Sequence, residues 1–399
     1  VSEQVLGQAS SGREYVQPVM AGALAAVVGY ASTFTLVLAA LTASGASPQQ
    51  AGSGLMTVCI AIGLLNIAVS ARVRLPVSFA WSTPAAAFLL TAGEPVGGFP
   101  AVAGAFLVAA LLILLTGLIR PLARLVAAIP APIANAMLAG MLLPLCLAPI
   151  TAVSEVPALA LPILLAWVLG LRFARRYAVP IAVVVTGIVL ALTTHLPAGA
   201  LDGSWPAFVP VMPIFTVDAI TRIGLPIYVV TMASQNLPGL AVLRANGFEP
   251  KPGPLFVLTG LASGASALLG GHTSNLAAIT AAICAGPEAH PDPGRRWPAP
   301  ISAGAVYLLL AGGASLAAAF IAASPPVLIQ AVAGLALLSS LAGALSGALA
   351  DEETRLPAVF TFVTTASGIS VLAIGAPFWG LLGGIAILLL LRSDKATSR

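Results

Sequence analysis

Residues 270 to 282 read GGHTSNLAAITAA, which puts His272, Thr273, Ser274 and Asn275 in succession behind two glycines, inside a very apolar chain. These side chains donate and accept hydrogen bonds without carrying a fixed charge. Their chemistry is recognition of a small polar or anionic group, and His272 can in addition take up a proton. WSTPAAA (81–87) carries Ser82 and Thr83 ahead of an alanine run, and TMASQNLPGL (231–240) adds Gln235 and Asn236. Tyr30 and Phe34, in GYASTFT (29–35), stand four apart and so share one helix face.

Each of these residues also has a structural use. Ser82, Thr83, Thr273, Ser274 and Asn275 suit the capping of helix N-termini as well as contact with a ligand. Gln235 and Asn236 could join helices or line a pocket, and Tyr30 and Phe34 could pack or hold a ring. His272 is either a hydrogen-bonded structural residue or a ligand contact and proton acceptor. Cys59, Cys146 and Cys284 lie far apart in apolar segments without ligand spacing, which points to packing, to no metal site and to no cofactor. An enzyme would need a nucleophile–base pair or a metal cluster, and neither pattern is visible.

The elements that position these residues follow from composition. Of 399 residues, 59% are hydrophobic and 8% charged, more apolar than one soluble core requires. Apolar runs of membrane-spanning length recur from Met20 to Leu391 without barrel-type alternation, so the chain is expected to be an all-α integral membrane protein surrounded by lipid. Residues 1–18 lack the pattern of a cleavable signal, so insertion is expected to begin with the first membrane helix. Breaks at charges and Pro/Gly clusters give fourteen segments. The third (77–92) and the tenth (271–286) are too short to cross as simple helices. With both termini in the cytoplasm, every lysine and arginine except Arg222 falls inside, which accounts for the formal charge of +4 without a nucleic-acid partner.

An internal repeat is legible as well. Ser82 aligns with Thr273 at an offset of 191, PIANAMLAG (132–140) with PVLIQAVAG (326–334) at 194, and Pro180 with Pro377 at 197. Seven segments is an odd number, so the second half must insert upside down, giving a seven-plus-seven inverted repeat with segments three and ten as broken half-helices. Each begins with residues suited to extended backbone, and each is expected to turn helical at its Ser/Thr cluster. Two half-helix starts near mid-depth offer N–H donors and positive dipole ends without formal charge, which favours an anion such as a carboxylate. The carboxylates Glu94, Glu155, Asp202 and Asp218 map to the outer edge. Pro238–Gly239 is expected to break segment eight, residues 286–300 to form a solvated connector, and Gly264, Gly270 and Gly271 to permit close helix approach.

FAWSTPAAA, MASQNLPGLAVLRANG and GGHTSNLAAITAAICAGPEAHPDPGRRW resemble the benzoate–proton symporter family of bacterial inner membranes, over essentially the whole chain. That family is similar to the uracil/xanthine permeases and sulfate-type anion transporters. The resemblance implies a core domain in two parts, 1–121 (segments 1–4) and 198–322 (segments 8–11). It would move against a gate domain formed by 122–197 (segments 5–7) and 323–399 (segments 12–14). It also implies benzoate or a similar carboxylate as substrate, protons as coupling ion and a homodimer. Nucleobase carriers place glutamates in segments eight and ten, where this chain offers Gln235, Asn236 and Thr273 to Asn275, which leaves His272 as the proton-coupling candidate. The alternatives are a carrier of another small anion or a nucleobase-like substrate, and an anion channel.

Overall fold

Helices and two very short strand pairs make up the computed structural model of the protein, which describes residues 2–121, 124, 129–175, 178–193, 205–277, 279–287, 289–322, 325–371 and 374–397. The first half runs α1 (Ser2–Ala43), α2 (Pro48–Val73), β1 (Phe79–Trp81), α3 (Thr83–Ala92), α4 (Gly98–Leu118), α5 (Ala131–Glu155), α6 (Pro157–Phe173) and α7 (Ala178–Thr193). In the second half, five pieces run on as one helix, α8: Val217–Ala219, Ile220–Gly224, Leu225–Thr231, Met232–Asn236 and Leu237–Ala245. Then follow α9 (Pro252–Ala267), β2 (Ser274–Leu276), α10 (Ile279–Ala285), α11 (Pro298–Ala311), α12 (Ala314–Ala322), α13 (Pro326–Leu349), α14 (Glu352–Ala366), β3 (Ser370–Val371), β4 (Ile374–Gly375) and α15 (Ala376–Thr397). Among the described residues five helices are long and apolar enough to cross a membrane singly, or six if α13, bent by 42°, counts as one span.

Local chemistry explains the boundaries. Pro48 starts α2 behind Ser47, whose hydroxyl accepts from the Gln50 N–H while the Gln50 side chain accepts from the Ser47 N–H, a reciprocal cap. Ser82 caps α3 by accepting from the Ala85 N–H at 3.3 Å. Thr273, Ser274 and Asn275 do not cap a half-helix as expected. They lie in extended backbone, and α10 starts only at Ile279. β1 begins at Phe79 and β2 at Ser274, 195 residues later (274 − 79). The expected break at Pro238–Gly239 is also absent. Met232–Asn236 is a π-helical turn, and the chain continues as α-helix through Ala245 with Pro238 in its first turn. The wider turn, in which the Leu237 N–H bonds back to the Met232 carbonyl, gives the Pro238 ring room inside the continuous helix.

β1 and β2 pair antiparallel, with Phe79 opposite Leu276, Ala80 opposite Asn275 and Trp81 opposite Ser274. The ladder extends at both ends, from Ser82 N–H to Thr273 C=O at 3.0 Å and from Ala277 N–H to Ser78 C=O at 2.9 Å. The outer edges of both strands are met by side chains. Asn66 of α2 donates to the Phe79 carbonyl and accepts its N–H, at 2.9 and 3.0 Å. Ser263 of α9 accepts the Ser274 N–H at 2.9 Å and donates to its carbonyl at 3.3 Å.

Around this crossing α2 packs on α11, α9 on α4 and α1 on α11. Beside them α5 packs on α13 and α14, α6 on α7, and α14 on α15. Glycines bring the central helices together. A Cβ added at Gly271 would lie 2.7 Å from Val58 Cγ2 and 3.0 Å from the Gly54 carbonyl oxygen, and Gly270 has a φ of +84° that favours glycine. Gly264 is not such a contact, because its added Cβ would meet Ala110 and Leu107 only at 3.9 Å. Gly271→Leu should therefore destabilise the protein by about 1–3 kcal/mol or more, the cost of overpacking, whereas Gly264→Ala should be near neutral. Thermal unfolding of the detergent-solubilised protein checks this, and equal midpoints for the two variants would refute the packing account.

Candidate functional site

The crossing of β1 and β2 gathers most of the residues singled out from sequence. Thr231 of α8 is its hub. Its hydroxyl donates to Ser82 Oγ at 2.9 Å and lies 3.2 Å from Thr273 Oγ1, so three hydroxyls from three elements meet in one buried cluster. Ser82 thereby serves the α3 cap and this cluster together. Thr83, the first residue of α3, is half-buried beside it. Asn236 is fully committed: its Oδ1 accepts the Leu276 N–H at 2.8 Å and its Nδ2 contacts Met232 Sδ at 3.1 Å. It fixes β2 to α8. Gln235, one residue earlier, is half-buried.

Other groups at the crossing keep unspent hydrogen-bonding capacity. His272 is buried and neither ring nitrogen makes a hydrogen bond, although the ring approaches the Ser82 backbone. The hydroxyls of Ser274 and Ser234 and Oδ1 of Asn275 are likewise buried without a partner, while Asn275 Nδ2 donates to the Leu276 carbonyl at 2.8 Å. Buried polar atoms nearly always find a partner, so a group of orphans marks a place that water or a ligand completes.

An aromatic row adjoins the hydroxyl cluster. Tyr30 and Phe34 stack with centroids 5.1 Å apart and planes 8° from parallel, Tyr30 meets Trp81 edge-on at 5.8 Å, and Trp81 meets Tyr307 of α11 at 5.7 Å. The Trp81 indole N–H donates to Thr33 Oγ1 at 3.0 Å, which fixes the ring next to Ser82.

Both short helices are closed at their far ends by arginine. Arg222 Nη2 donates to the carbonyl of Ala92, the last residue of α3, at 3.1 Å, and Arg222 pairs with Asp218 at 3.5 Å. Arg296 Nη1 donates to the carbonyl of Ala285, the last residue of α10, at 2.7 Å, and the same guanidinium reaches the carbonyls of His290 and Pro291. The connector 286–300 is thus not simply solvated, since Arg296 is buried and knits it to α10. Cationic groups suit helix C-termini and leave the opposite ends as the positive poles.

Thr231, Asn66, Ser263, Trp81 and Arg296 were missed as site residues. Two of them gave a usable signal, Thr231 standing one turn before Gln235 and Trp81 directly before Ser82 in the quoted clusters. Thr231→Val should leave Ser82 and Thr273 short of a partner and cost about 1–3 kcal/mol, while Thr231→Ser should restore most of the loss. Thermal midpoints of the two variants decide it, and an unaffected valine variant would remove Thr231 from its hub role.

The profile of the BenE family, described as benzoate membrane transport protein, matches residues 14–390. Inner membrane protein YdcO of Escherichia coli is 39% identical over 370 residues, covering 92% of this chain and 93% of that protein. A benzoate membrane transport protein of Acinetobacter baylyi is 31% identical over 381 residues, covering 95% and 96%. Among solved structures, the transmembrane domain of the cyanobacterial bicarbonate transporter BicA aligns with a TM-score of 0.59 at 14% identity, over 92% of this chain and 97% of that one. SLC26A9 aligns with a TM-score of 0.64 at 11% identity, over 94% and 66%. The fold is therefore that of the SLC26 and BicA transporters, and the protein is a multi-pass membrane protein. By the profile match and the identity to both relatives, the chain belongs to the benzoate membrane transport protein family.

Proposed function

We propose that this protein is a secondary carrier that takes up benzoate or a similar aromatic monocarboxylate together with protons, the carboxylate binding where β1 and β2 meet the start of α3. The observation that carries this reading is the set of buried, unpartnered groups on His272, Ser274 and Asn275 beside the Ser82–Thr231–Thr273 cluster. It has hydrogen-bonding capacity and a helix N-terminus without a formal charge, which suits one small anion. Family membership supports the same class, as does a fold shared with a protein described as a bicarbonate transporter.

The reading includes fourteen segments in two inverted sets of seven. In such a repeat segment two is equivalent to nine and four to eleven. The packing of α2 on α11 and of α9 on α4 supports that exchange, as do the matched clamps from Asn66 and Ser263. Residues 1–121 and 198–322 form the core and 122–197 and 323–399 the gate, which alternate access by moving against each other. Both termini lie in the cytoplasm of a bacterial inner membrane, the one outward basic residue, Arg222, being neutralised by Asp218. His272 is the group that links protonation to transport, and the assembly is a homodimer.

Counterflow in proteoliposomes tests the class, because a carrier exchanges labelled for unlabelled benzoate against a gradient and a channel does not. Within that assay, His272→Gln should preserve exchange but weaken accumulation driven by a pH gradient. Unchanged accumulation would move the proton elsewhere, such as to the substrate carboxylate. Thr83→Asp and Ser274→Asp should reduce benzoate affinity far more than Thr83→Asn and Ser274→Asn, since a second negative charge in a low-dielectric site repels the first. Equal affinities for the acid and amide variants would place the anion away from the crossing.

A further inference from the structure

A cavity of about 410 Å³ lies between α1, α7, α12 and α13, of a size typical for small-molecule pockets. Phe34 and Thr35, Thr186 and Leu190, Leu316 and Ile329 stand on its four sides, and among the described residues the two threonines are its only polar side chains. Thr186 spends its hydroxyl on the Ala182 carbonyl at 2.7 Å. Thr35 is buried and its hydroxyl has no partner. Phe34 forms part of the cavity wall and also stacks on Tyr30, which in turn meets Trp81, the residue before Ser82.

We propose that this cavity is a second, ring-selective site for the aromatic acid, occupied before the carboxylate reaches the crossing. This rests on the carrier reading above and adds where the ring is recognised. A wall with no formal charge and one unspent hydroxyl matches a flat apolar ring bearing a single polar group. A small inorganic anion has no apolar face to bury here, and a nucleobase carries polar groups around its whole ring, whereas an aromatic acid can bury its ring and direct its one polar group toward the aromatic row. The stacked row from Phe34 through Tyr30 to Trp81 spans two centroid steps of 5.1 and 5.8 Å, longer than one benzene ring, so cavity and crossing are successive stations. A lipid acyl chain would fill the apolar walls, but it would leave the Thr35 hydroxyl and the aromatic row without a use.

Gly187 of α7 lines the cavity, and a Cβ added there meets nothing within 4 Å, so larger side chains at this position grow into empty space. In proteoliposomes supplied with labelled benzoate, the series Gly187→Ala, Gly187→Val, Gly187→Leu should raise the uptake KM progressively, reaching about tenfold for leucine, with the thermal midpoint unchanged. Gly343→Leu, also into open space but on α13 away from the cavity, should behave as wild type. Thr35→Val should raise KM and Thr35→Ser should restore it. Wild-type KM in the Gly187→Leu protein overturns the proposal, and if that variant only loses copurifying phospholipid the cavity is an acyl-chain slot. Absence of benzoate uptake by the wild-type protein would bring down the carrier reading as well, and it would be seen before any substitution is made.

Discussion

Backbone N–H and C=O groups at membrane depth have no water to fall back on, and the rest of this structure depends on how six strand residues meet that demand. Three residues of β1 and three of β2 satisfy one another on their facing edges, and Asn66, Ser263 and Asn236 serve outward-facing groups. Those three side chains come from α2, α9 and α8, so these helices must stand at fixed distances from the ladder. Gly54 and Gly271 allow that approach, and a bulkier pair would hold α2 away from the turn that leads into β2.

The same demand separates scaffold from site. Polar groups with partners, such as Asn236 and Ser82, hold the ladder and the start of α3 rigid. Polar groups without partners, on His272, Ser274 and Asn275, sit next to that frame, and in the proposed site they accept the guest without dismantling it. A binding group already held in place loses little freedom when the ligand arrives, so more of the interaction appears as affinity. The absence of fixed charge from the described residues of the crossing has a further effect. In the proposed carrier the empty site then moves no buried ion through the membrane, a cost that charged sites must offset with a counter-ion.

Much of this was legible in the amino-acid order. Long apolar runs dictate helices, and the limits that charges and proline/glycine clusters give, 48–70, 98–119, 217–245 and 325–349, agree closely with α2, α4, α8 and α13. The short segments 77–92 and 271–286 announced their extended starts through Pro76 and Gly270–Gly271. The register was harder to read. Ser82 and Thr273 are both hydroxyl residues and invite alignment, yet one caps a helix and the other precedes a strand, because helix start and strand start differ by several residues. Pro238 was misread because proline normally interrupts a helix interior, and the π-helical turn that accommodates it here has no sequence signature of its own. Asn66 and Ser263 could not be ranked above other polar residues in apolar spans, since their importance comes from the strand backbone they clamp. The start of segment five, 122–128, lies outside the described residues apart from Arg124.

The pairing of β1 with β2 also bears on how the protein is made. The two strands are separated by some 195 residues (Phe79 to Ser274), so at ribosomal rates of about 5–20 residues per second β1 waits roughly 10–40 s for its partner to be synthesised. During that interval α2 is already complete, and Asn66 can hold the Phe79 N–H and C=O from the start. The amide that looks like a minor clamp in the finished molecule is then an internal chaperone for half of a strand pair. Its own helix can shelter the nascent segment until the second half of the chain emerges.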